Sequence, residues 1–138
     1  MKVLCVRLVR GDDLKVKLRA LVEENNIRAG FIVSCVGSVS QATLRFATQV
    51  NGEHEIRTLS QNMEITSLVG TFSQDGCHLH MTLSDDQGHV IGGHLMSDCI
   101  VQTTAEVVIG YLDQVRFERT YDPDTGFKEL VVSPCDKK

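Results

Sequence analysis

The sequence of 138 residues contains no tryptophan and only two prolines, and aromatic residues make up just 5% of it. Hydrophobic residues nevertheless reach 42%, so a packed core must be built mainly from valine, leucine and isoleucine. The length suits one compact domain and is too short for two ordinary ones. We therefore expect a single domain over residues 1–138, with its core at about residues 2–133.

The sequence also lacks features that several classes of protein require. The net charge is -4, which argues against the basic surface that a general nucleic-acid binder needs. No apolar run approaches the roughly 18 residues of a membrane-spanning helix, and the N-terminal run is too short and too charged for a signal peptide. The five cysteines include no CxxC pair, which favours a reducing compartment over a disulfide framework. We expect an intracellular protein without a membrane partner, cytoplasmic or, as the alternative, nuclear.

One segment has the pattern of an amphipathic helix. The leucines of LKVKLRALVEENN recur at helical spacing, Asp12 or Asp13 can cap its start, and Asn25-Asn26 can end it. The rest of the chain consists of short runs rich in β-branched residues, separated by turn signals such as Asn51-Gly52. This order predicts an α+β fold with a mainly antiparallel, barrel-like sheet and one principal helix.

Four of the five histidines lie in CHLHMTLSDDQGHVIGGHLMSDC, residues 77–99. Two strands at 77–83 and 89–95, joined by a turn at 84–88, place the apolar side chains on one face of a hairpin. His78, His80 and His94 then share the other face. In this register His78 lies directly opposite His94, and His80 lies one diagonal away, opposite Gly92. His89 falls at the turn on the wrong face and is left out of the cluster.

Three imidazoles at such spacing can converge on one ion. Directly opposed residues of a sheet have Cβ atoms about 4.5–5.5 Å apart, and three histidines suit zinc or a similar divalent metal with one position left for water or a small ligand. Gly92 and Gly93 would leave room beside the ion. The alternative is that the three histidines are simply polar residues on the solvated face of a sheet, and the pattern alone leaves both interpretations open.

Other candidates are weaker. Glu106 lies within the apolar segment TTAEVVIG, where it could serve as a general base near the metal or, as the pattern favours, point outward on the alternating face. Arg7 could bind an anion or pair with Glu106, although an exposed strand position is favoured. The sequence contains no phosphate-binding glycine loop and no GxSxG motif. Cys77 and His78 face opposite ways on a strand, which argues against a nucleophile pair.

The segment SLVGTFSQDGCHLHMTLSDDQGHVIGGHLMSDCIVQTTAEVVIG resembles the core of the PPC (plant and prokaryote conserved) domain family. AGFIVSCVGSVSQATLRFA and RFERTYDPDTGFKELVV extend the resemblance over nearly the whole chain. The resemblance implies an α+β fold, a homotrimer, and a metal ion, thought to be zinc, held by His78, His80 and His94.

Plant members of this family carry AT-hook motifs that read DNA, while the domain itself mediates assembly with other factors. This chain has no AT-hook, so it resembles the stand-alone members with a metal site. The resemblance therefore implies a trimeric metal-binding protein that could take a small-molecule ligand. Whether it is an enzyme stays undecided; metal-assisted hydrolysis or lyase chemistry would be the natural class. The alternative is a DNA-binding or transcription-associated assembly module without catalysis, although the missing AT-hook and the acidic charge argue against direct DNA binding.

Overall fold

A computed structural model describes residues 1–135 of the chain. In this range the order of elements is β1 Lys2–Val9, α1 Leu14–Glu24, β2 Gly30–Arg45, β3 Ile56–Leu59, β4 Met63–Ser73, β5 Gly76–Ser84, β6 Val90–Leu95, β7 Ile100–Tyr111, β8 Val115–Asp122 and β9 Phe127–Pro134. The predicted α+β class with one principal helix is confirmed.

Seven strands form one antiparallel sheet in the order β1-β7-β2-β4-β5-β6, with β3 attached to β2. Strand β2 is long enough to pair with four other strands. Its first part pairs with β7 and β4, and its last residues pair with β3 and β6. Because β6 returns to β2 at Leu44↔Leu95 and Arg45↔His94, the sheet is partly ringed without closing as a barrel. Strands β8 and β9 form a separate two-stranded sheet.

The helix begins and ends where its polar residues satisfy the backbone. Asp13 is the N-cap, and its side chain accepts a hydrogen bond from the Val16 backbone N–H at 3.0 Å. Asp12 instead accepts from the backbone N–H of Val9 at 3.0 Å. Asn26 follows the helix in the left-handed region, with φ of 49°, which ends the helical run. One face of the helix is buried, at Leu14, Leu18 and Val22.

The core is aliphatic, as the composition predicts. Phe72 is the one aromatic residue among the buried hydrophobic residues of the described range. The alternating positions Leu79, Met81 and Leu83 of β5 are between 0% and 2% exposed, so one face of this strand is entirely core. All five cysteines are free. Within the described range, no helix has the length and apolar character needed to cross a membrane.

Asp13 ties two parts of the chain together, and its removal tests this. One carboxylate oxygen caps the helix, while the other accepts a hydrogen bond from the backbone N–H of Asp98 at 3.0 Å. We expect Asp13→Ala to lower the free energy of unfolding by about 1–2 kcal/mol, because two backbone donors lose their acceptor. Denaturant titration by circular dichroism measures this. Asp86→Ala, at an exposed loop carboxylate, is the control, and equal losses in the two variants would contradict the role of Asp13.

Candidate metal centre

Strands β5 and β6 bring three histidines to one face of the sheet. His80 lies directly opposite His94 in the β5–β6 pairing. His78 lies two residues earlier on β5, opposite Thr71 of β4. The predicted common face is therefore correct, since the odd-numbered neighbours are in the core. The predicted register is wrong by two residues: His78 was expected opposite His94, and Gly92 is in fact paired with Thr82 rather than with His80.

The side chain of Asp85 explains the shift in register. Its Oδ1 accepts hydrogen bonds from the backbone N–H groups of Gln87 at 2.9 Å and His89 at 2.8 Å. The Asp85 backbone N–H also donates to the carbonyl oxygen of His89 at 2.9 Å. The turn is therefore 85–89 instead of 84–88, because an aspartate at its first position organises it from within. His89 lies exposed in this loop, outside the cluster, as predicted.

The three imidazoles converge closely enough to share one ion. Their ring centroids are 4.9, 5.1 and 5.5 Å apart, and one nitrogen from each ring lies within 4.8 Å of the others. The Nε2 atoms of His78 and His80 are 3.1 Å apart. Two nitrogens bound tetrahedrally to zinc at about 2.0–2.1 Å are about 3.3 Å apart, so this separation needs little adjustment. The donor set therefore fits a divalent metal that prefers imidazole.

The surroundings of the cluster favour the neutral form of His78 and His94. Burial, followed by the charge of the Arg45 guanidinium, lowers the pKa of His94 from 6.5 to about 4. The pKa of His78 is also lowered, first by burial and then by the charges of His80 and Arg119. Within the described range, the buried Nδ1 atom of His94 has no hydrogen-bond partner. Neutral rings at pH 7, one with an unpaired buried nitrogen, are suited to binding a metal rather than a proton.

Two glycines let the strands around the cluster approach closely. A Cβ atom at Gly92 would lie 2.9 Å from the carbonyl oxygen of Met81, and one at Gly93 would lie 2.7 Å from that of Arg45. Both glycines border the cavity beside the histidines. The space that a side chain would need is therefore taken up by backbone of β5 and β2, so these glycines hold β6, and with it His94, against its neighbours.

The histidines lie in the wall of a cavity of about 860 Å³. Residues from the end of β2, the segment after it, the β4–β5 turn and the β8–β9 hairpin complete the wall; among them are Arg45, Phe46, His54, Asp75, Arg119, Phe127, Lys128 and Glu129. The sequence analysis did not identify these residues, because they come from segments far apart in the chain. The one local signal for these residues was the presence of an arginine within a predicted strand: Arg45 in the TLRF segment and Arg119 in the RFERTY segment.

Glu106 does not line this cavity. It is exposed on β7, opposite Arg7 of β1 on one side and Val36 of β2 on the other. The outward position is the one that the alternating pattern favours. The register places Arg7 opposite Glu106, but across residues 1–135 no ion pair within 4.0 Å joins the two. The carboxylates that do line the cavity are Asp75 and Glu129.

Comparison with known proteins places this fold and site in a family. The model of the Plants and Prokaryotes Conserved (PCC) domain matches residues 1–113. The chain belongs to this family, and the match includes all three clustered histidines. Among curated proteins, the chain is 45% identical over 134 residues to the bifunctional protein GlmU of a Synechococcus strain; this aligned region is 97% of the chain and 21% of that protein. The chain thus spans about a fifth of the length of this curated relative.

Solved structures share the fold. A hypothetical protein from Salmonella enterica superimposes with a TM-score of 0.91 at 37% identity, over 96% of this chain and 94% of that one. The metal-containing protein AF0104 from Archaeoglobus fulgidus gives a TM-score of 0.82 at 32% identity, over 95% and 94% of the two chains. A putative DNA binding protein from Bacteroides thetaiotaomicron gives 0.85 at 28% identity, over 94% and 91%.

The lowered pKa of His94 predicts how the metal-free protein responds to acid. Between about pH 4 and 6.5 the unfolded chain binds a proton at His94 that the folded chain does not, so the free energy of unfolding rises with pH across this window and levels off above it. His94→Asn should flatten this rise, whereas His89→Asn, at the exposed loop, should leave it in place. Denaturant titrations in a chelating buffer at several pH values measure the slopes. Identical slopes in wild type and His94→Asn would contradict the prediction.

Proposed function

We propose that this chain is a metal-binding protein in which His78, His80 and His94 hold a zinc ion in the wall of a small-molecule cavity. The observation that carries the proposal is the convergence of three imidazoles, with one nitrogen of each within 4.8 Å of the others. The Archaeoglobus protein described as metal-containing, 32% identical to this chain, supports it. Imidazole ligands without thiolates or carboxylates favour zinc or a similar first-row ion over magnesium or calcium.

The position of the cluster favours a functional ion over a purely structural one. A structural zinc site usually has four protein ligands and is closed to solvent, whereas three histidines beside an open cavity leave a position for an exogenous ligand. When bound, the ion would act as a Lewis acid toward a carbonyl or similar group. The chain's own contribution is to favour the neutral form of His78 and His94, to fix the three rings on two paired strands, and to border the ligand with charged and aromatic side chains.

We further propose that the protein is a homotrimer. The family resemblance is the first support. The second is a set of exposed aliphatic residues on the sheet: Val33, Val36 and Val69 are 54–56% exposed. Val69 is paired with His80, so it lies on the same face as the cluster. Exposed aliphatic residues on a sheet are typical of a surface covered by another subunit. A neighbouring subunit would then lie close to the cavity.

Metal content provides the test of the zinc proposal. We expect the protein purified without a histidine tag to carry about one zinc per chain by elemental analysis, since three preformed ligands bind far more tightly than isolated surface histidines. His80→Ala and His94→Ala should each lose most of the metal, while His89→Ala should retain it. A wild-type protein that is free of metal and takes up no added zinc would refute the proposal.

Mass in solution provides the test of the trimer. Light scattering on a sizing column should give three times the 15.3 kDa of one chain. Val36→Glu should shift the protein toward monomer, because it places a charge in the covered apolar surface. Val50→Glu is the matched control, since Val50 lies fully exposed in the segment between β2 and β3. A monomeric wild type, or equal effects of the two variants, would contradict the assembly.

DNA binding is the second candidate, and the Bacteroides neighbour named a putative DNA binding protein is the observation that favours it. The net charge of -4 and the placement of Arg45, Arg119 and Lys128 around a cavity argue for a weaker interaction than that of a dedicated DNA-binding surface. Fluorescence anisotropy with a labelled duplex at low salt distinguishes the two. Saturable, salt-dependent binding that survives His80→Ala would favour the DNA function.

A further inference from the structure

The cavity beside the histidines has a cationic wall that the metal site alone does not require. Arg45 is paired with His94 across β2 and β6, which places its side chain on the same face as the cluster. Arg119 and Lys128 enter the cavity from the β8–β9 hairpin. The hairpin lies outside residues 1–113, the part of the chain that matches the family model. Three cations from two separate sheets therefore surround the space in front of the histidines.

The two arginines are held in position by neutral contacts. The Arg119 Nη2 atom donates a hydrogen bond to Thr71 Oγ1 at 3.0 Å, and Thr71 is the residue paired with His78. The Arg45 guanidinium lies over the ring of Phe127, 5.4 Å from its centroid. A hydroxyl and an aromatic ring orient a guanidinium without neutralising it. Both arginines are thus held in place without an anionic partner. This lowers the entropy cost of arranging them around a ligand.

The two carboxylates of the cavity form no ion pair with these cations. Asp75 Oδ2 accepts a hydrogen bond from the backbone N–H of Arg119 at 2.6 Å, and Glu129 Oε1 accepts from the hydroxyl of Thr125 at 2.9 Å. Across residues 1–135, no ion pair within 4.0 Å involves Arg45, Arg119 or Lys128. The cavity wall thus has three cations against two carboxylates, a net positive charge on a chain whose net charge is -4, and the unpaired guanidinium groups are available to an anion.

We propose that this cavity binds a small carboxylic acid, with its carboxylate on Arg45 and Arg119 and the rest of the molecule directed toward the three histidines. The contact with a metal rests on the proposed zinc site; the contact with the arginines does not. Planar guanidinium groups match a carboxylate through paired hydrogen bonds. No residue of the only described helix lines the cavity, so the backbone donors of a helix N-terminus, which many phosphate sites use, are not available here. The volume is within the range of small-molecule sites.

Calorimetric titration of the purified protein with succinate, at constant ionic strength, tests this proposal. We expect saturable binding of one succinate per chain, weakened at least tenfold by Arg45→Gln and by Arg119→Gln and a few-fold by Lys128→Gln. Arg57→Gln is the matched control, because Arg57 lies on the neighbouring strand β3, is paired with Glu55 and does not line the cavity. Metal content and mass in solution, measured for each variant before and after titration, ensure that a loss of binding does not reflect unfolding or removal of the ion.

The outcomes separate this proposal from the zinc proposal. Succinate binding that depends on Arg45 and Arg119 supports the carboxylate site whether or not the protein holds zinc. Absence of saturable binding, or equal affinity in wild type and Arg45→Gln, overturns it. Inorganic phosphate, titrated in the same way, provides the last comparison: phosphate bound at least tenfold more tightly than succinate, with the same dependence on the arginines, overturns the choice of a carboxylic acid.

Discussion

The alternation of side chains along β5 and β6 is the constraint on which the rest of the site depends. Leu79, Met81 and Leu83 are buried in the core, and this burial fixes which face of the strand points outward. His78 and His80 are therefore held on the outer face by the packing of their neighbours. A slip of one residue would expose the aliphatic side chains and bury the imidazoles, so the free energy that stabilises the core also orients the histidines.

Close contacts between strands bring His94, the third histidine of the cluster, and its charged neighbour Arg45 into place. Because Gly92 and Gly93 carry no side chain, β6 can lie against backbone of both β5 and β2. One row of paired residues then runs across the sheet through His80, His94 and Arg45. Burial, and after it the guanidinium of Arg45, lowers the pKa of His94, which keeps that ring neutral. Fold and electrostatics are coupled here, since the same pairing that completes the cluster also makes it unfavourable for protons.

The features predicted correctly from the sequence are those that depend on residues close together in the chain. The capping role of Asp13, the end of α1 and the common face of the three histidines follow from side-chain chemistry and period within a short segment. The register of the hairpin did not, because it depends on which residue starts the turn, and the side-chain hydrogen bonds of Asp85 moved that start by one position. Pairing between strands that are distant in the chain is harder still to predict from local sequence patterns. No pattern in the sequence relates Arg45 to His94, or Arg119 to Thr71. These contacts depend on how β2 and the β8–β9 hairpin pack in the folded chain.

The cavity therefore has two parts with different origins. The histidines lie on a hairpin whose register is set by the core and by the Asp85 turn, within the segment that matches the family model. Arg119, Phe127 and Lys128 lie on β8 and β9, a hairpin in which Leu130, Val131 and Val132 are exposed and no residue belongs to the main hydrophobic core. Substitutions in this hairpin can change the charge and shape of the cavity at little cost in stability, whereas substitutions near the histidines disturb packed strands. The architecture thus separates the groups suited to holding an ion from the groups suited to selecting what approaches it.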